Sequence, residues 1–356
     1  MTDSEEGNSA HIPDTRGWPI RLGAYLRQAM PGFAESPITL VPLSGGRSNP
    51  TFRLTSGDCR YVLRCKPQGS LDKTAHLIER EYVIQSVLGD SDVPVARMYH
   101  LCEDHSVIGT TFYVMQFVDG LVTEDPRLGC INPAQRREIY FNAVSVLANL
   151  HSIDWTNNSS LRSFGKPSGF LRRQVDRFGD QLDRYPEISS HNLRNLRALL
   201  ESDLPEQRQT TLFHGDFRTA NLATGPSGEI CAVLDWELST LGDPLVDLAY
   251  FLVPYHLSPE NSILPGMYGL NLPDWHLPSE AELIRLYLET VKASDMPHWG
   301  GYLAFAIYRM TVITGGVFLR RAKADRRKLS ANEHQVLSEF ATAGCRVIDT
   351  ELFQLK

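Results

Sequence analysis

The run His214-Gly-Asp-Phe-Arg-Thr-Ala-Asn221 constrains this chain more than any other stretch of its sequence. It places Asp216 and Asn221 on one short loop, so that a carboxylate able to accept a proton lies beside an amide oxygen able to bind Mg²⁺. A second carboxylate, Asp235, follows the next predicted β-hairpin, which can return it to the same place. Side chains of these types, positioned together, are what phosphoryl transfer requires.

Length, charge and cysteine content limit the classes of protein that the chain can form. With 356 residues it can bury a large core and hold two domains or lobes. Its net charge of −7 argues against general nucleic-acid binding, because that binding needs a basic face to release counterions. Six scattered cysteines without a Cys-x-x-Cys pair indicate free thiols in a reducing compartment rather than a disulfide framework or a zinc site.

The sequence carries neither an export signal nor a convincing membrane span. Its first residues are acidic and polar, without the basic start and apolar centre of a signal peptide. The longest apolar stretch, Tyr302 to Leu319, contains Arg309 and is too short for a membrane span, so we predict a buried helix there. We therefore expect a cytoplasmic protein that does not bind membranes.

Apolar and β-branched runs dominate the N-terminal third of the chain. Residues 1–17 are predicted to be a disordered tail, and a short amphipathic helix is predicted from about Ile20 to Met30. Alternation then predicts five strands, at residues 38–43, 51–55, 61–66, 95–101 and 111–118.

Two features of this β-rich part could contact phosphates. The loop between the first two strands contains Gly45, Gly46, Ser48 and Asn49. Its backbone N–H groups could approach a phosphate closely, although a plain hairpin turn is the more frequent reason for two adjacent glycines. In the third strand, Arg64 and Lys66 point to the same face, where a cation could reach phosphates or simply be solvated.

A predicted helix from Thr74 to Leu88 carries the candidate partner of that cation. Its apolar residues recur at helical spacing, and Glu79 and Glu81 lie within it. One of these carboxylates could pair with the strand cation and fix its position. Glutamates on amphipathic helices usually face solvent, so the pairing depends on the rest of the pattern.

The composition changes after Phe117-Val-Asp-Gly120, from strand patterns to helical ones. We therefore predict an N-terminal lobe over residues 18–118 and a larger, mostly helical lobe over residues 119–356. Helices are predicted at residues 133–152, 171–184, 191–202, 281–293, 302–319 and 331–352, with another starting at Pro244. The Pro- and Gly-rich segment from Pro259 to Pro278 is predicted to be a mobile insert.

Taken in order, these features resemble a known family. The runs Tyr61-Val-Leu-Arg-Cys-Lys-Pro67, Ile78-Glu-Arg-Glu81, His214-Gly-Asp-Phe-Arg-Thr-Ala-Asn-Leu222 and Val233-Leu-Asp-Trp-Glu237 are similar to those of the aminoglycoside phosphotransferase/choline kinase-like family. The closest likeness is to the kinase-like domain fused to some acyl-CoA dehydrogenases and to its stand-alone bacterial relatives. The resemblance covers about residues 35–325 and implies an α+β, two-lobed protein kinase-like fold, with ATP and Mg²⁺ as cofactors.

The resemblance also implies a role for each matching residue. Asp216 would be the catalytic base, and Asn221 and Asp235 would bind Mg²⁺. His214 would brace the loop, Asp247 would support its backbone, and Arg218 could neutralise the transferring phosphate. Glu81 would pair with the phosphate-binding cation, and adenine would lie against the backbone near Gln116 and Phe117.

The sequence departs from the family pattern at two positions. The family usually has Lys where this chain has Arg64, and the two side chains are not interchangeable at a tight site. Either Arg64 or Lys66 therefore contacts the phosphates. After Asp235 the chain reads Trp236-Glu237, and Glu237 could bind a second metal, touch substrate or be a structural carboxylate.

The acceptor is the least defined part of the prediction. A basic run, Arg320 to Lys328, could attract an acidic substrate such as a CoA thioester, or it could simply favour the dipole at a helix end. Arg309, in an apolar helix, should either pair with a core carboxylate or face the acceptor cleft. The likeness to acyl-CoA dehydrogenase fusions indicates a hydroxyacyl-CoA or hydroxy acid whose hydroxyl is phosphorylated.

Two other functions stay open from the sequence. One is an aminoglycoside phosphotransferase, which would need an acidic acceptor pocket for a polycation. The other is a pseudokinase that binds nucleotide without transfer, against which the intact Asp216, Asn221 and Asp235 argue. The partners are then a nucleotide and a small-molecule acceptor, and the chain could be a monomer or a homodimer.

Overall fold

The structure is a computed structural model that describes residues 15–43, 49–67, 78–348 and 353–354. The chain divides into two compact units. The first runs to Asp119 and also includes Ala232–Glu237, and the second comprises Gly120–Cys231 and the residues from Leu238 onward. Most of the predicted tail lies outside the described residues, as do Gly45, Gly46 and Ser48 of the predicted phosphate loop.

A five-stranded antiparallel sheet forms the centre of the first unit, in the order β1-β2-β3-β5-β4. Its strands are β1 (Ile38–Pro42), β2 (Thr51–Ser56), β3 (Cys59–Cys65), β4 (Met98–Cys102) and β5 (Phe112–Gln116). All five predicted strands are present. Alternation holds along β2, where Phe52 and Leu54 are buried and their neighbours are not.

Three helices accompany the sheet: α1 (Trp18–Ala29), α2 (Ile78–Leu88) and α3 (His105–Ile108). Helix α1 packs against β1 and α3, and its Trp18, Leu22 and Leu26 join the core formed by the buried side of the sheet. Between β4 and β5, the polar composition of residues 103–106 predicts a turn, but the structure has the start of α3 there. The carboxylate of Asp104 caps this helix by accepting from the Ser106 N–H at 2.8 Å.

The second unit is built mainly of helices, as predicted. They are α4 (Pro133–His151), α5 (Ser159–Arg162), α6 (Phe170–Arg184), α7 (His191–Ser202), α8 (Pro244–Leu252), α9 (Glu280–Val291), α10 (Trp299–Ala324) and α11 (Ala331–Val347). Their starts follow from local chemistry, because Ser279 and Ser330 each form a capping box with the Glu three residues later. The α+β fold class is confirmed.

Helix α10 is longer than the apolar stretch that we used to predict it. Within the described part of the chain, it is the one helix that is long and apolar enough to cross a membrane by length and composition. However, 83% of its most apolar window is buried inside the protein, against α6, α7, α8 and α11. The prediction of a buried helix is confirmed, and the argument that it is too short for a span was wrong, because the helix extends beyond the apolar run at both ends.

Three short strand pairs complete the second unit: β6 (Thr211–Phe213) with β9 (Thr240–Gly242), β7 (Leu222–Thr224) with β8 (Ile230–Val233), and β10 (Asp295–Met296) with β11 (Phe353–Gln354). The loop of residues 214–221 connects β6 to β7. The segment Ala232–Glu237, which belongs to the first unit, begins within β8.

The segment from Pro259 to Pro278 is packed, although we predicted a mobile insert. Asn261 is buried, and its side-chain oxygen accepts from the backbone N–H groups of Ile263 and Leu264 at 3.0 Å each. Its amide donates to Glu339 of α11 at 2.9 Å, and Met267 and Leu277 are buried. Prolines and glycines limit regular structure here to one short 3₁₀ helix, Leu272–Trp275, but the side chains still reach the core.

Candidate active site

The 214–221 loop begins where β6 ends and is held by Asp247 of α8. The carboxylate of Asp247 accepts from the His214 N–H at 2.5 Å and from the Gly215 N–H at 2.8 Å. Both His214 and Asp247 are fully buried. Since Asp243 caps α8 and Pro244 occupies its first turn, Asp247 lies where the helix presents a carboxylate to the loop backbone.

Asp216 and Asn221 contact each other directly within this loop. The Asn221 amide nitrogen donates to the backbone carbonyl of Asp216 and to its carboxylate, both at 2.8 Å. The Asp216 N–H donates in turn to His214 Nδ1 at 3.1 Å. Both bonds of Asn221 come from its nitrogen, so its amide oxygen is not used in holding the loop.

Arg218 also lies beside Asp216. Its Nε is 3.7 Å from a carboxylate oxygen of Asp216, and its Nη2 is 3.6 Å from Glu124. The side chain is 40% exposed, so it is neither buried nor fully solvated. A cation placed there can balance negative charge that collects near Asp216.

Arg309 reaches the same loop from α10 and resolves the alternatives left by the sequence. It is buried, and its Nη2 donates to the backbone carbonyl of Gly215. Its guanidinium also lies over the ring of Tyr250, 5.1 Å from the centroid. In the second unit Arg309 therefore binds a backbone carbonyl of the loop. This contact differs from both predicted alternatives, which were a pair with a core carboxylate and a position facing the acceptor cleft.

In the first unit, Arg64 is surrounded by carboxylates. Its Nε lies 3.0 Å from Glu81 of α2, and its Nη2 lies 3.0 Å from Asp235 and 3.7 Å from Glu237. We call these four side chains the Arg64 cluster. Burial of Arg64 opposes its charged form, but the carboxylates outweigh that cost and raise the pKa of Arg64.

Two further donors hold Glu81 in place. Asn49 Nδ2 donates to one of its oxygens at 3.0 Å, and the Tyr113 hydroxyl donates to the other at 2.8 Å. Asn49, which we predicted to contact nucleotide, is itself fully buried and carries this structural bond. Tyr113 was missed by the sequence reasoning, although it lies directly opposite Arg64 in the β3–β5 register, because that register is not visible in the sequence.

Lys66, Gln116 and Phe117 lie away from the Arg64 cluster. Strand β3 ends at Cys65, and the Nζ of the next residue, Lys66, pairs with Glu79 at 3.3 Å. Gln116 is the last residue of β5, and its side chain accepts from the Arg97 N–H at 3.2 Å. Phe117 follows it and lies under the guanidinium of Arg60.

Asp235 has a strained backbone, with φ at 63°. Non-glycine residues adopt this conformation rarely, and it persists only where the surroundings impose it. Two contacts hold this part of the segment in the first unit, the bond from the Val233 N–H to the Pro94 carbonyl at 2.8 Å and the ion pair between Asp235 and Arg64 at 3.0 Å. Strain of this kind occurs often at functional sites.

The residues present fit a hard metal ion. In the first unit, Asp235 is 36% exposed at its side chain and offers carboxylate oxygens. In the second unit, taken by itself, Asn221 has an amide oxygen, which is also a type of ligand that Mg²⁺ accepts. Oxygens of Glu81, Asp235 and Glu237 also lie within 4.8 Å of one another. Since the Arg64 guanidinium already contacts all three, Glu237 is first of all a partner of Arg64 in this structure.

A cavity of about 130 Å³ opens beside the 214–221 loop in the second unit. Arg218 and Thr219 of the loop line it, together with Tyr250 of α8. Most of the other lining side chains are apolar. Glu124 is its one acidic side chain, and it is paired with Arg218.

The described sheet with its buried Arg–Glu pair, and the helical unit with its His-x-Asp loop, have the protein kinase-like fold of small-molecule phosphotransferases. The chain belongs to the phosphotransferase enzyme family (APH), whose model matches residues 39–276. The family resemblance inferred from the sequence is confirmed.

The chain is also similar to individual proteins of known sequence or structure. It is 36% identical to acyl-CoA dehydrogenase family member 10 of Mus musculus over 92% of this chain and 31% of that protein. It is 38% identical to acyl-CoA dehydrogenase family member 11 of Homo sapiens over 84% of this chain and 39% of that protein. The chain thus spans about a third of the length of the curated relatives that it matches.

Two solved structures share its fold. A Ralstonia eutropha protein, provisionally named an aminoglycoside phosphotransferase, is 34% identical with a TM-score of 0.81, over 93% of this chain and 98% of that one. Aminoglycoside phosphotransferase APH(4)-Ia, in a ternary complex with AMP-PNP and hygromycin B, is 16% identical with a TM-score of 0.58, over 95% of this chain and 100% of that one. The second likeness is one of fold alone.

Proposed function

We propose that the chain transfers the γ-phosphate of ATP to a hydroxyl group of a small molecule. The observation that carries this proposal is the contact between Asp216 and Asn221 on a loop braced by Asp247. It leaves a carboxylate aligned to accept a proton and an amide oxygen available for a metal ion.

In the proposed reaction, the acceptor oxygen forms a bond to the γ-phosphorus while the bond between that phosphorus and the β–γ bridging oxygen breaks. ADP leaves, and the hydroxyl proton passes to the carboxylate of Asp216. Arg218 balances charge on the transferring group, and Arg64 contacts the nucleotide phosphates. As the family resemblance implies, Asn221 and Asp235 would hold Mg²⁺, and the ion would supply the neutralisation of phosphate charge.

Nucleotide use is supported by the family and by the AMP-PNP in the APH(4)-Ia complex. We propose ATP as the donor. Thermal shift with Mg²⁺ and either ATP or GTP tests this choice, because a ligand that binds the folded state raises the apparent stability.

We propose a hydroxyacyl-CoA or hydroxy acid as the acceptor rather than an aminoglycoside. The relatives named for acyl-CoA dehydrogenases support an acyl substrate. The cavity beside the 214–221 loop also supports it, because a polycation would need several unpaired acidic groups there. The basic run from Arg320 to Lys328 supports an acidic acceptor less strongly than expected. Helix α10 ends within it at Ala324, and Arg327 is already paired with Glu333 at 2.7 Å.

The test is incubation with Mg-ATP and a panel of hydroxyacyl-CoAs, hydroxy acids and aminoglycosides. ADP release is measured together with the gain of one phosphate on the acceptor by mass spectrometry. Transfer to a hydroxyacyl compound is expected. Transfer to aminoglycosides alone would contradict the acceptor, and nucleotide binding without any transfer would favour a pseudokinase.

A further inference from the structure

The cavity beside the 214–221 loop has walls from four helices of the second unit. Its apolar lining includes Tyr140 of α4, Phe251 of α8, Met310 of α10 and Phe340 of α11. All four side chains are buried. The Tyr140 hydroxyl donates to the Pro126 carbonyl at 2.6 Å, so the polar atom of that residue is already satisfied.

Two polar residues that line the cavity also lie beside the proposed base, Asp216. Arg218, which lies 3.7 Å from Asp216, lines the cavity, and so does Tyr250. Burial raises the pKa of Tyr250, and the nearby charge of Asp216 and a side-chain hydrogen bond to it add to the rise. A molecule whose hydroxyl reaches Asp216 therefore has the apolar part of the cavity directly next to it.

We infer that this cavity binds an unbranched alkyl chain attached to the carbinol carbon of the acceptor. The inference rests on the proposed function and deepens it. The acceptor is then a secondary alcohol whose hydroxyl is at Asp216, whose alkyl tail enters the cavity, and whose acyl end points elsewhere.

The size of the cavity sets the length of the tail. An apolar cavity of about 150 Å³ in another protein holds benzene, so about 130 Å³ holds about five carbon atoms. Each methylene that leaves water should raise kcat/KM about fourfold until the cavity is full. Longer tails should then lose activity because the helices around the cavity leave no further space.

Thr314 is the position from which to test the cavity. It lines the cavity from α10 and is only partly buried, so a larger side chain there does not enter the packed core. Its neighbour Ile313 is 40% exposed and does not line the cavity. Thr314→Phe and Ile313→Phe therefore place a phenyl ring on adjacent positions of one helix, one inside the cavity and one outside.

The experiment measures kcat/KM for hydroxy acids whose carbinol carbon bears a methyl, propyl, pentyl or octyl tail. In the unaltered protein, activity should rise from methyl to pentyl and fall at octyl. Thr314→Phe should lower kcat/KM about 10- to 100-fold for the pentyl acceptor and less than about threefold for the methyl one. Ile313→Phe should match the unaltered protein throughout.

Calorimetric titration with straight-chain carboxylic acids lacking the hydroxyl separates this inference from the proposed function. Binding that strengthens with chain length and is lost in Thr314→Phe supports the cavity even if no hydroxy acid accepts phosphate. Phosphate transfer that is independent of tail length, or equal losses in Thr314→Phe and Ile313→Phe, would overturn the inference and leave the kinase activity standing.

Discussion

The guanidinium of Arg309 donates a hydrogen bond to the backbone carbonyl of Gly215. The carboxylate of Asp247 accepts from the N–H groups of His214 and Gly215, so Gly215, which precedes Asp216, is held at both its N–H and its carbonyl. Arg309 is thus a positioning residue for the 214–221 loop. A buried charged donor to a carbonyl contributes more than a neutral one, because few other groups can replace it.

Replacing Arg309 with Met should slow phosphate transfer while leaving nucleotide binding nearly unchanged. Loss of the bond to Gly215 lets Asp216 shift, and a misplacement of about 1 Å can cost about 100-fold in rate. We expect kcat to fall about 10- to 100-fold, measured by ADP release with the acceptor saturating. Arg320→Met, at an exposed position of the same helix, is the control and should retain the rate. An unchanged kcat in Arg309→Met would remove Arg309 from the site.

Asp216→Asn should abolish most of the transfer and preserve the loop. The amide oxygen of the new side chain can still accept from Asn221, but it cannot take up the hydroxyl proton. A general base contributes about 10²- to 10⁴-fold, so the rate should fall by that amount with little change in the nucleotide thermal shift. Asp274→Asn, on the exposed surface, should behave as the unaltered protein. Retained activity in Asp216→Asn would show that another group is the base.

Arg64→Met should destabilise the first unit strongly. It leaves the carboxylate of Glu81, which is 1% exposed, without its cation, and breaking a buried ion pair in this way costs about 3–5 kcal/mol. Arg60→Met on the same strand removes a salt bridge whose side chains are 47% and 69% exposed, and should cost at most about 1 kcal/mol. Urea denaturation gives both free energies of unfolding. Equal losses in the free energy of unfolding would mean that Arg64 contributes no more to stability than Arg60 does.

Arg64→Lys should fold but bind nucleotide less well. A single ammonium group cannot make the 3.0 Å contacts to Glu81 and Asp235 at the positions of Nε and Nη2. The nucleotide affinity, measured by calorimetric titration with Mg-ATP, should fall about 10-fold, equivalent to about 1.4 kcal/mol. An affinity equal to that of the Arg64 protein would show that the family's usual Lys is equivalent here.

Gly215→Ala tests how closely the loop approaches its surroundings. Gly215 has φ at 86°, and a Cβ there would lie 2.5 Å from the Leu238 carbonyl oxygen. Gly269→Ala is the matched control, because Gly269 has φ at 81° and open space around it. In Gly269→Ala the free energy of unfolding should fall only by the backbone strain of the left-handed conformation, about 1–2 kcal/mol. In Gly215→Ala it should fall further, and activity should be lost as well. If both variants unfold at the same urea concentration, the close approach has no energetic weight.

Glu333 should contribute stability that disappears in acid. Hydrogen bonding from Arg327 lowers the pKa of Glu333 from 4.5 to about 2, so the contribution is complete above about pH 4.5 and is lost as the pH falls towards 2. Glu333→Gln keeps the capping box with Ser330 but removes the charge. Its free energy of unfolding should be lower by about 0.5–1 kcal/mol at neutral pH, and the difference should close at about pH 2. A difference independent of pH would contradict the pairing.

Local patterns were sufficient to predict most elements of the fold. The five strands of the first unit and the helices that begin at Pro133, His191 and Ala331 were all located from periodicity and caps. The errors lie where a local signal was weak or was overruled. Asp104 caps a short helix where we expected a turn, and Asn261 anchors a segment whose prolines indicated mobility.

The candidate site likewise contains some contacts that the sequence could predict and others that it could not. The contact between Asp216 and Asn221 could be expected from the sequence because both lie on one loop, and the presence of Arg64 and Glu81 could be expected from their elements. Tyr113 could not, because its place opposite Arg64 depends on the register of two strands that are distant along the chain. The partner of Glu81 also depended on tertiary contacts between β3 and α2, where Arg64 pairs with Glu81 and Lys66 pairs with Glu79.

The sequence by itself determined the order of the elements, the composition of the 214–221 loop and the family, because these depend on residues close together along the chain. Tertiary structure decided that Arg309 binds the Gly215 carbonyl and that Tyr140, Met310 and Phe340 line one cavity. The physical reason is that helical periodicity shows which face of a helix is buried, but not which other helix or strand packs against that face. The cavity proposed to bind part of the acceptor is formed by such contacts between helices, so it could not be inferred from the sequence.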